Sequence, residues 1–340
     1  MSTVDFDAAA FANWLSAATG RVGEVSVAPM RGGGSCEMFD LRLADERFVI
    51  RRAPMAAVSD TAHDVVREFQ VIQALAGKGA RVPELLVSGD DPSVLGAPFY
   101  IMRYVDGEVI RRRLPSQYID SPATQPAIGE ELVDALVELH AVEWRGSALE
   151  SMANPERFLS RQVSRWMAQL EKYRSRDLPG VESVALWLEA NRPPEGELTV
   201  MHGDYKIDNA MFSKGVPPRI ETLVDFEMTT VGDPLIDLAW AMIFWPEEGN
   251  LIAIAAPGGE GGMDARYCQS PRVLVERYAE KTGRDLSRFQ WYQAFAAWKL
   301  GIVLEGSYAK FLRGESKNPN HEFFGFVVDQ LMERATRFAR

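Results

Sequence analysis

The fold is decided by one short island of polar residues, Val200-Met-His-Gly-Asp-Tyr-Lys-Ile-Asp-Asn-Ala-Met-Phe212, together with its continuation Leu223-Val-Asp-Phe-Glu227. Apolar residues flank each group of acids and amides, a pattern typical of short strands that end in loops. The segment 210–224 contains two apolar stretches around Gly215-Val-Pro-Pro218 and predicts a hairpin. Such a hairpin would bring the polar loops on either side of it together.

Three side chains of this island have the spacing of a phosphoryl-transfer loop. His202, Asp204 and Asn209 match H-x-D-x-x-x-x-N, and Asp225-Phe226 stands where the metal-binding D-F-G begins, with glutamate in place of the glycine. Mg²⁺ prefers hard oxygen ligands, so we expect Asn209 and Asp225 to hold it beside a triphosphate. Because the transferred group already carries spread negative charge, the protein mainly positions reactants and supplies positive charge.

With Val224-Asp-Phe-Glu-Met-Thr-Thr-Val-Gly-Asp-Pro-Leu-Ile-Asp-Leu-Ala-Trp240 added, the island resembles the aminoglycoside phosphotransferase family. It is most similar to the branch of kinase-like domains joined to some acyl-CoA dehydrogenases. Further fragments occur in the family's order, namely Arg31-Gly-Gly-Gly-Ser35, Phe48-Val-Ile-Arg-Arg52, Arg67-Glu-Phe69 and Phe99-Tyr-Ile-Met-Arg-Tyr-Val-Asp-Gly107. The resemblance implies an α+β, bilobal protein-kinase-like fold. Residues 1–105 would form a small N-lobe with an antiparallel sheet, and residues 106–340 a larger, mainly helical C-lobe.

The resemblance also implies the reactants: ATP as the donor, Mg²⁺ as the cofactor and a hydroxyl group of a small molecule as the acceptor. Asp204 is expected to accept the proton of that hydroxyl or to orient it. Lys206 is expected to reach the moving phosphoryl group, although it could equally be a solvated surface lysine. The residues expected to support the loops structurally are His202, Asp208, Glu227 and Asp237. For His202, proton transfer is the alternative.

The nucleotide side of the site is expected on the sheet. Strand alternation puts Val49 and Arg51 on one face, with Phe48 and Ile50 on the other. In the kinase pattern V-A-I-K this register gives Arg51 the position of the phosphate-binding lysine, with Glu68 on the next helix as its partner. Arginine is a departure, because its planar fork differs from an ammonium group. The alternative for both residues is a surface ion pair of little energetic value.

Two backbone elements complete the expected nucleotide site. The glycine cluster between the first two predicted strands would bind phosphates through backbone N–H groups, and its residues are Gly33, Gly34 and Ser35. The last strand of the sheet would end in a hinge that offers backbone hydrogen bonds to adenine, formed by Met102, Arg103, Tyr104 and Val105. The alternative for the glycine cluster is a plain hairpin, and the alternative for the hinge residues is ordinary core packing.

Hydrophobic periodicity predicts an opening helix, a strand-rich region up to Val105 and helices in most of the remainder. The predicted helices after the opening one are 61–78, 127–142, 155–173, 181–190, 271–282, 289–313 and 321–339. The predicted strands lie within 22–30, 36–43, 47–52, 83–88 and 99–105, with the island 198–233 embedded among the helices.

Composition narrows the possible partners. The 340 residues carry a formal net charge of −11, which argues against nucleic acid or an anionic membrane as a partner because both attract clustered cations. The two cysteines form no disulfide or zinc pattern, and the first residues do not read as a signal peptide, so we expect a cytoplasmic protein. The longest apolar stretch, 238–245, is too short to span a bilayer. The sequence does not determine the oligomeric state.

Two other functions remain open. A protein kinase would need a longer segment between Glu227 and the next helix to dock a peptide. A nucleotide-binding sensor or scaffold without catalysis would fit the arginine at position 51 and the unusual glycine cluster. The family's acceptors include antibiotics, cholines and sugars, and the dehydrogenase-linked branch suggests hydroxyacyl thioesters.

Overall fold

The computed structural model of the chain describes residues 5–30, 36–55, 65–111, 114–153, 156–247, 268–316 and 318–340. Gly33, Gly34 and Ser35 lie outside the described residues, so the phosphate contact expected of them stays a prediction. The start of the predicted helix 61–78 also lies outside them.

The strands within these ranges include all five that the sequence predicts before residue 106. In chain order they are β1 Val25–Pro29, β2 Glu37–Leu43, β3 Glu46–Arg52, β4 Leu85–Gly89, β5 Phe99–Arg103, β6 Glu108–Val109, β7 Thr199–Met201, β8 Ala210–Phe212, β9 Ile220–Leu223 and β10 Thr230–Gly232. The predicted hairpin 210–224 is confirmed as β8 and β9. The pairing of β8 with β6, and of β7 with β10, had no signal in the sequence.

The helices of the same ranges are α1 Ala8–Thr19, α2 Val65–Leu75, α3 Pro92–Leu95, α4 Ser116–Ile119, α5 Pro126–His140, α6 Gln162–Glu171, α7 Val181–Ala190, α8 Pro234–Phe244, α9 Pro271–Thr282, α10 Phe289–Leu312 and α11 Asn320–Phe338. Most predicted helices are confirmed to within two residues.

The start predicted for the helix 155–173 is wrong. The α-helix begins at Gln162, after a short 3₁₀ turn over Leu159–Arg161. The Glu195 carboxylate accepts hydrogen bonds from the backbone N–H groups of Leu159 and Ser160 at 2.9 and 3.0 Å. A side chain distant in sequence therefore satisfies backbone donors that a helix would otherwise leave open, which local periodicity cannot reveal.

The first five strands form one antiparallel sheet in the order β1-β2-β3-β5-β4. On one face, Phe11 and Leu15 of α1 pack against Phe48 and Ile50 of β3 and are fully buried. Burial of each such side chain stabilises the fold by about 1.5–3 kcal/mol. The opposite face packs against α2 and carries Arg51. The alternation predicted for β3 is therefore confirmed.

The rest of the chain packs mainly as helices around the polar island. In the short pair β7–β10, β7 packs against α5 and α8. In the hairpin β8–β9, β9 packs against α5, and α10 packs along α8 and α11. Residues of α8 from Pro234 to Ile243 are all buried. No helix in the described part of the chain is both long and apolar enough to cross a bilayer.

Candidate active site

The loop after β7 is held in place by the carboxylate of Asp237. This residue lies in the first turn of α8, whose N-cap Asp233 accepts a hydrogen bond from the Leu235 amide. The fully buried Asp237 accepts hydrogen bonds from the backbone amides of His202 at 2.6 Å and Gly203 at 3.0 Å. Two adjacent amides bonded to one carboxylate fix the direction in which the loop leaves the strand.

Gly203 can only be glycine in this conformation. Its φ of +86° lies in the left-handed region, and a Cβ atom would stand 2.2 Å from the carbonyl oxygen of Met228. The loop therefore approaches the segment after Asp225 more closely than any side chain would permit.

His202 connects the two loops of the site. Its ring is fully buried and its Nε2 donates to the carbonyl oxygen of Val224 at 3.0 Å. The ring also packs against Phe226, with a centroid distance of 4.9 Å. The Nε2 proton is thus bonded to the backbone, and the bracing role expected of His202 stays a prediction.

The Asp204 carboxylate is surrounded by three donors from this part of the chain. Trp240 Nε1 lies 2.8 Å from Oδ1, while Lys206 Nζ and Asn209 Nδ2 lie 2.6 and 3.1 Å from Oδ2. Burial raises the pKa of Asp204, but the Lys206 ammonium and the indole N–H outweigh it, so the pKa falls below its ordinary value. Asp204 is therefore an ionised acceptor at neutral pH. The hydrogen bond from Trp240 to Asp204 was not predicted from the sequence.

Lys206 remains an ammonium group in spite of its burial. Burial lowers its pKa, but the carboxylates of Asp204 and Asp208 raise it above the ordinary value. Asp208 itself has a raised pKa because of burial, although Lys206 opposes the shift.

Arg51 is the centre of an ion-pair cluster that joins the sheet to the second loop. Its Nε lies 2.8 Å from Glu68 Oε2, and one terminal nitrogen lies 2.7 Å from Asp225 Oδ1 and 3.3 Å from Glu227 Oε2. Only 7% of Arg51 is exposed, so this is not a surface pair. The structure brings together the arginine and the helix glutamate that the sequence paired, and adds two carboxylates to them.

In this cluster, burial and the neighbouring charges have opposing effects on the pKa values of Glu68 and Arg51. Burial raises the pKa of Glu68 to about 7, with Asp225 and Glu227 adding to the rise and Arg51 opposing it. Glu68 also accepts a hydrogen bond from the Phe226 amide at 3.0 Å, which ties α2 to the loop. Burial lowers the pKa of Arg51, but the surrounding carboxylates outweigh it and keep the guanidinium charged.

Asp225 adopts a backbone conformation rare for a residue with a side chain, with φ +71° and ψ +56°. Such conformations persist only where the surroundings enforce them, and they concentrate at functional sites. Here the Phe226 and Val224 contacts described above hold the residues on either side of it.

A cavity of about 400 Å³ lies between the sheet and the island. Its lining includes most of the residues expected on the nucleotide side and four from the island, namely Val49, Arg51, Met102, Arg103, Tyr104, Val105, Lys206, Asp208, Asn209 and Asp225. Glu68, His202 and Glu227 lie behind this lining as partners of residues that form it, and Asp237 lies behind His202.

The donor set fits a hard divalent cation. Asn209 Nδ2 donates to the backbone oxygen and to Oδ2 of Asp204, which leaves the amide oxygen as its ligand atom. Asp225 could supply a carboxylate oxygen from the same cavity wall. Among the described residues no group of three or more His, Cys, Asp or Glu side chains could hold a metal. A cation here would need further oxygens from a bound phosphate.

A small antiparallel sheet that faces a mainly helical body across such a cavity defines a protein-kinase-like fold. The family profile described as "Phosphotransferase enzyme family" (APH) matches residues 26–273, and the chain belongs to this family. The resemblance and the fold class inferred from the sequence are thereby confirmed.

The curated relatives are longer proteins. The chain is 30% identical to acyl-CoA dehydrogenase family member 11 of Gallus gallus over 94% of its length, and 28% identical to that of Homo sapiens over 94%. It spans 41% of the length of each of these relatives.

The solved structures agree on the fold. A protein of Ralstonia eutropha JMP134, provisionally described as an aminoglycoside phosphotransferase, superimposes with a TM-score of 0.83 at 27% identity, over 98% of both chains. Aminoglycoside phosphotransferase APH(4)-Ia, in a complex with AMP-PNP and hygromycin B, gives 0.61 at 15% identity, over 95% of this chain and 97% of that one. Ethanolamine kinase of Plasmodium vivax gives 0.59 at 12%, over 91% and 81%. The last two show a shared fold alone.

Proposed function

We propose that the chain transfers the terminal phosphoryl group of ATP to a hydroxyl group of a small molecule, with Mg²⁺ as cofactor. Residues 1–105 would form the nucleotide lobe and residues 106–340 the lobe that carries the acceptor. The observation that supports this most is that Arg51, Asn209 and Asp225 line one cavity, with the ionised Asp204 hydrogen-bonded to Asn209 beside it.

Each residue has a distinct task in this proposal. Asp204 accepts the hydroxyl proton as the O–H bond gives way to the new O–P bond, while the bond from the γ-phosphorus to the bridging oxygen breaks and ADP leaves. Lys206 and Arg51 balance negative charge on the phosphates. Asn209 and Asp225 hold Mg²⁺, which when bound neutralises charge on the phosphate oxygens. The hinge 102–105 receives the adenine.

The acceptor is a small molecule rather than a protein. Only six residues separate Glu227 from Pro234, where α8 begins, and β10 occupies three of them. Between Glu227 and Pro234 the chain is therefore too short to form a segment that docks a peptide beside the carboxylate of Asp204. Relatives with acyl-CoA dehydrogenase names suggest a hydroxyacyl thioester as one acceptor class.

A nucleotide sensor without catalysis is the second candidate, and the ion pair between Arg51 and Asp225 favours it. This contact occupies one oxygen of the expected metal ligand. Stabilisation of the protein by Mg·ATP, without phosphoryl transfer to any hydroxyl, would support the sensor.

The test is a mass-spectrometric screen of metabolite extracts for an ATP-dependent gain of one phosphoryl group, followed by kinetics on the acceptor found. We expect Asp204→Asn to lower kcat by about two to four orders of magnitude, the range for a positioned acid–base group. Binding of Mg·ATP should persist, because Asp204 is assigned to the acceptor hydroxyl and not to the metal or the nucleotide.

Asp177→Asn is the matched control, since 90% of the Asp177 side chain is exposed. It should leave turnover unchanged. Unchanged turnover in Asp204→Asn would rule out the role assigned to Asp204.

A further inference from the structure

A lysine and two tryptophans lie beside the catalytic carboxylate, on the side away from the nucleotide cavity. Lys299 of α10 places its Nζ 4.4 Å from the ring centroid of Trp240 and 5.1 Å from that of Trp166. The same Trp240 indole donates to Asp204. One indole ring therefore separates the Lys299 ammonium from the residue that receives the acceptor hydroxyl. We call Trp166, Trp240 and Lys299 the acceptor cage.

Two donors of the acceptor cage lack an acceptor. Within the part of the chain that the structure describes, no carboxylate lies within ion-pair distance of Lys299 Nζ, whose recorded contacts are the two indole faces. Trp166 Nε1 is buried and meets no hydrogen-bond acceptor among those same residues. Buried donors such as Trp166 Nε1 are nearly always paired in native proteins, so we infer a ligand from this unpaired donor beside the half-buried Lys299.

The charge of the cage excludes one class of ligand. Aromatic cages bind quaternary and other ammonium ligands through the faces of their rings. Here the Lys299 ammonium lies over one face of each of the two indole rings, and Arg165 adds a second positive charge nearby. A cationic acceptor would meet two like charges, while the nearest acids, Asp204 and Asp237, are already bonded to donors of their own.

We propose that the acceptor carries an anionic oxygen group, a carboxylate or a phosphate. This group would bind to the Lys299 ammonium and the Trp166 indole N–H while the acceptor hydroxyl lies at Asp204. The inference rests on the proposed phosphotransferase function and deepens it by naming the chemical class of the acceptor. A carboxylate is suited to this place because it only accepts hydrogen bonds and offers two oxygens to two donors.

The protonation of Lys299 agrees with this assignment. Burial lowers its pKa to about 8, although the carboxylates of Asp237 and Asp204 pull it upward and Arg165 adds to the fall. The Lys299 ammonium is therefore charged at neutral pH although it is partly desolvated, and a bound anion would stabilise the charge.

The experiment compares matched acceptors that differ in one terminal group. An ω-hydroxy carboxylate series of increasing chain length is set against the corresponding carboxamides, amino alcohols and monophosphate esters. Phosphorylation is followed by ADP release, and binding to the Mg·ADP complex by tryptophan fluorescence. We expect the anionic series alone to react or bind, and the carboxylate and phosphate arms to identify which group is preferred.

Variants at Lys299 then test the contact itself. Lys299→Met should raise the KM or Kd of the anionic acceptor by about 10- to 100-fold, the loss expected for a charge-assisted hydrogen bond, with kcat little changed. Lys299→Arg should retain much of the affinity. Lys310→Met, on the exposed side of the same helix, is the control and should change neither.

The inference is overturned if carboxamides or amino alcohols react as well as the anions, if no anion binds, or if Lys299→Met leaves KM unchanged. Turnover on a neutral or cationic acceptor would refute the proposal that the acceptor cage binds an anion, while the phosphotransferase proposal stands. Absence of ATP-dependent turnover on every acceptor and extract would instead remove the proposed function, and anion binding in the fluorescence assay would still test the cage.

Discussion

Replacement of Lys299 by methionine should stabilise the protein at neutral pH. The substitution keeps much of the side-chain volume between the two indole rings and removes a half-buried charge that has no carboxylate partner within the described residues. Active-site residues selected for ligand contact often carry such a stability penalty, and their removal is then stabilising.

The magnitude follows from the lowered pKa of Lys299. A fall from 10.5 to about 8 corresponds to roughly 3 kcal/mol of destabilisation while the lysine is charged. Two cation–π contacts offset part of this, at about 0.5–1 kcal/mol each. The net gain for Lys299→Met should be about 1–2 kcal/mol at pH 7.

The sign of the pH dependence is fixed by the direction of the shift. Because the pKa of Lys299 is lower in the folded state, the penalty is complete below pH 8 and disappears as the pH rises towards 10.5, where the unfolded chain also loses the proton. The stability difference between variant and wild type should therefore shrink between pH 8 and pH 10.

Urea unfolding at a series of pH values measures this difference directly. Lys310→Met, exposed on the same helix, should stay within about 0.5 kcal/mol of the wild type throughout. If Lys299→Met is destabilising at pH 7, with a difference that does not vary with pH, the lysine is a packing element and the reasoning is refuted.

Two further substitutions test the frame of the site. Gly203→Ala should lower kcat at least about 100-fold and the free energy of unfolding by about 2–4 kcal/mol, because a Cβ would collide with the Met228 carbonyl oxygen; enzyme kinetics and urea unfolding measure both. Arg176→Met should destabilise the fold by about 3–5 kcal/mol in urea unfolding, because it leaves the fully buried Glu305 carboxylate without its ion pair.

Each of these substitutions has its own control. Gly314→Ala meets the same left-handed backbone, at φ +71°, but no atom within 4 Å, so it should cost only about 1–2 kcal/mol and leave kcat unchanged. An equal effect of both glycine variants would contradict the proposed collision. The double variant Arg176→Met, Glu305→Leu should recover most of the lost stability. Wild-type stability in the single variant would show that the ion pair is unimportant.

The grouping of the polar island could be predicted from the sequence because its residues lie close together in the chain. His202, Asp204 and Asn209 lie within eight positions, and the hairpin that joins them to Asp225 is short, so spacing alone indicates which side chains can meet. Strand alternation similarly assigned Arg51 to the cavity face of β3. These features depend on backbone periodicity, which is a property of neighbouring residues.

The tertiary contacts of these residues could not be predicted from local spacing. Trp240 and Lys299 reach the site from α8 and α10, and a tryptophan in an apolar helix has the same local pattern whether it packs in a core or donates to a catalytic acid. The early helix start predicted at residue 155 failed for a related reason, since Glu195 satisfies the backbone there from a distance.

The amino-acid sequence by itself indicated the side chains proposed for catalysis and metal binding, through their local spacing, and the kinase-like class and the phosphotransferase family, through the resemblance of its motifs to that family. The tertiary structure alone decided that Arg51 joins three carboxylates, that an indole donates to Asp204 and that Lys299, which has no carboxylate partner among the described residues, lies over the same indole. Contacts between elements distant in the chain depend on how helices pack against the island, and packing is specified by the whole chain rather than by any one segment.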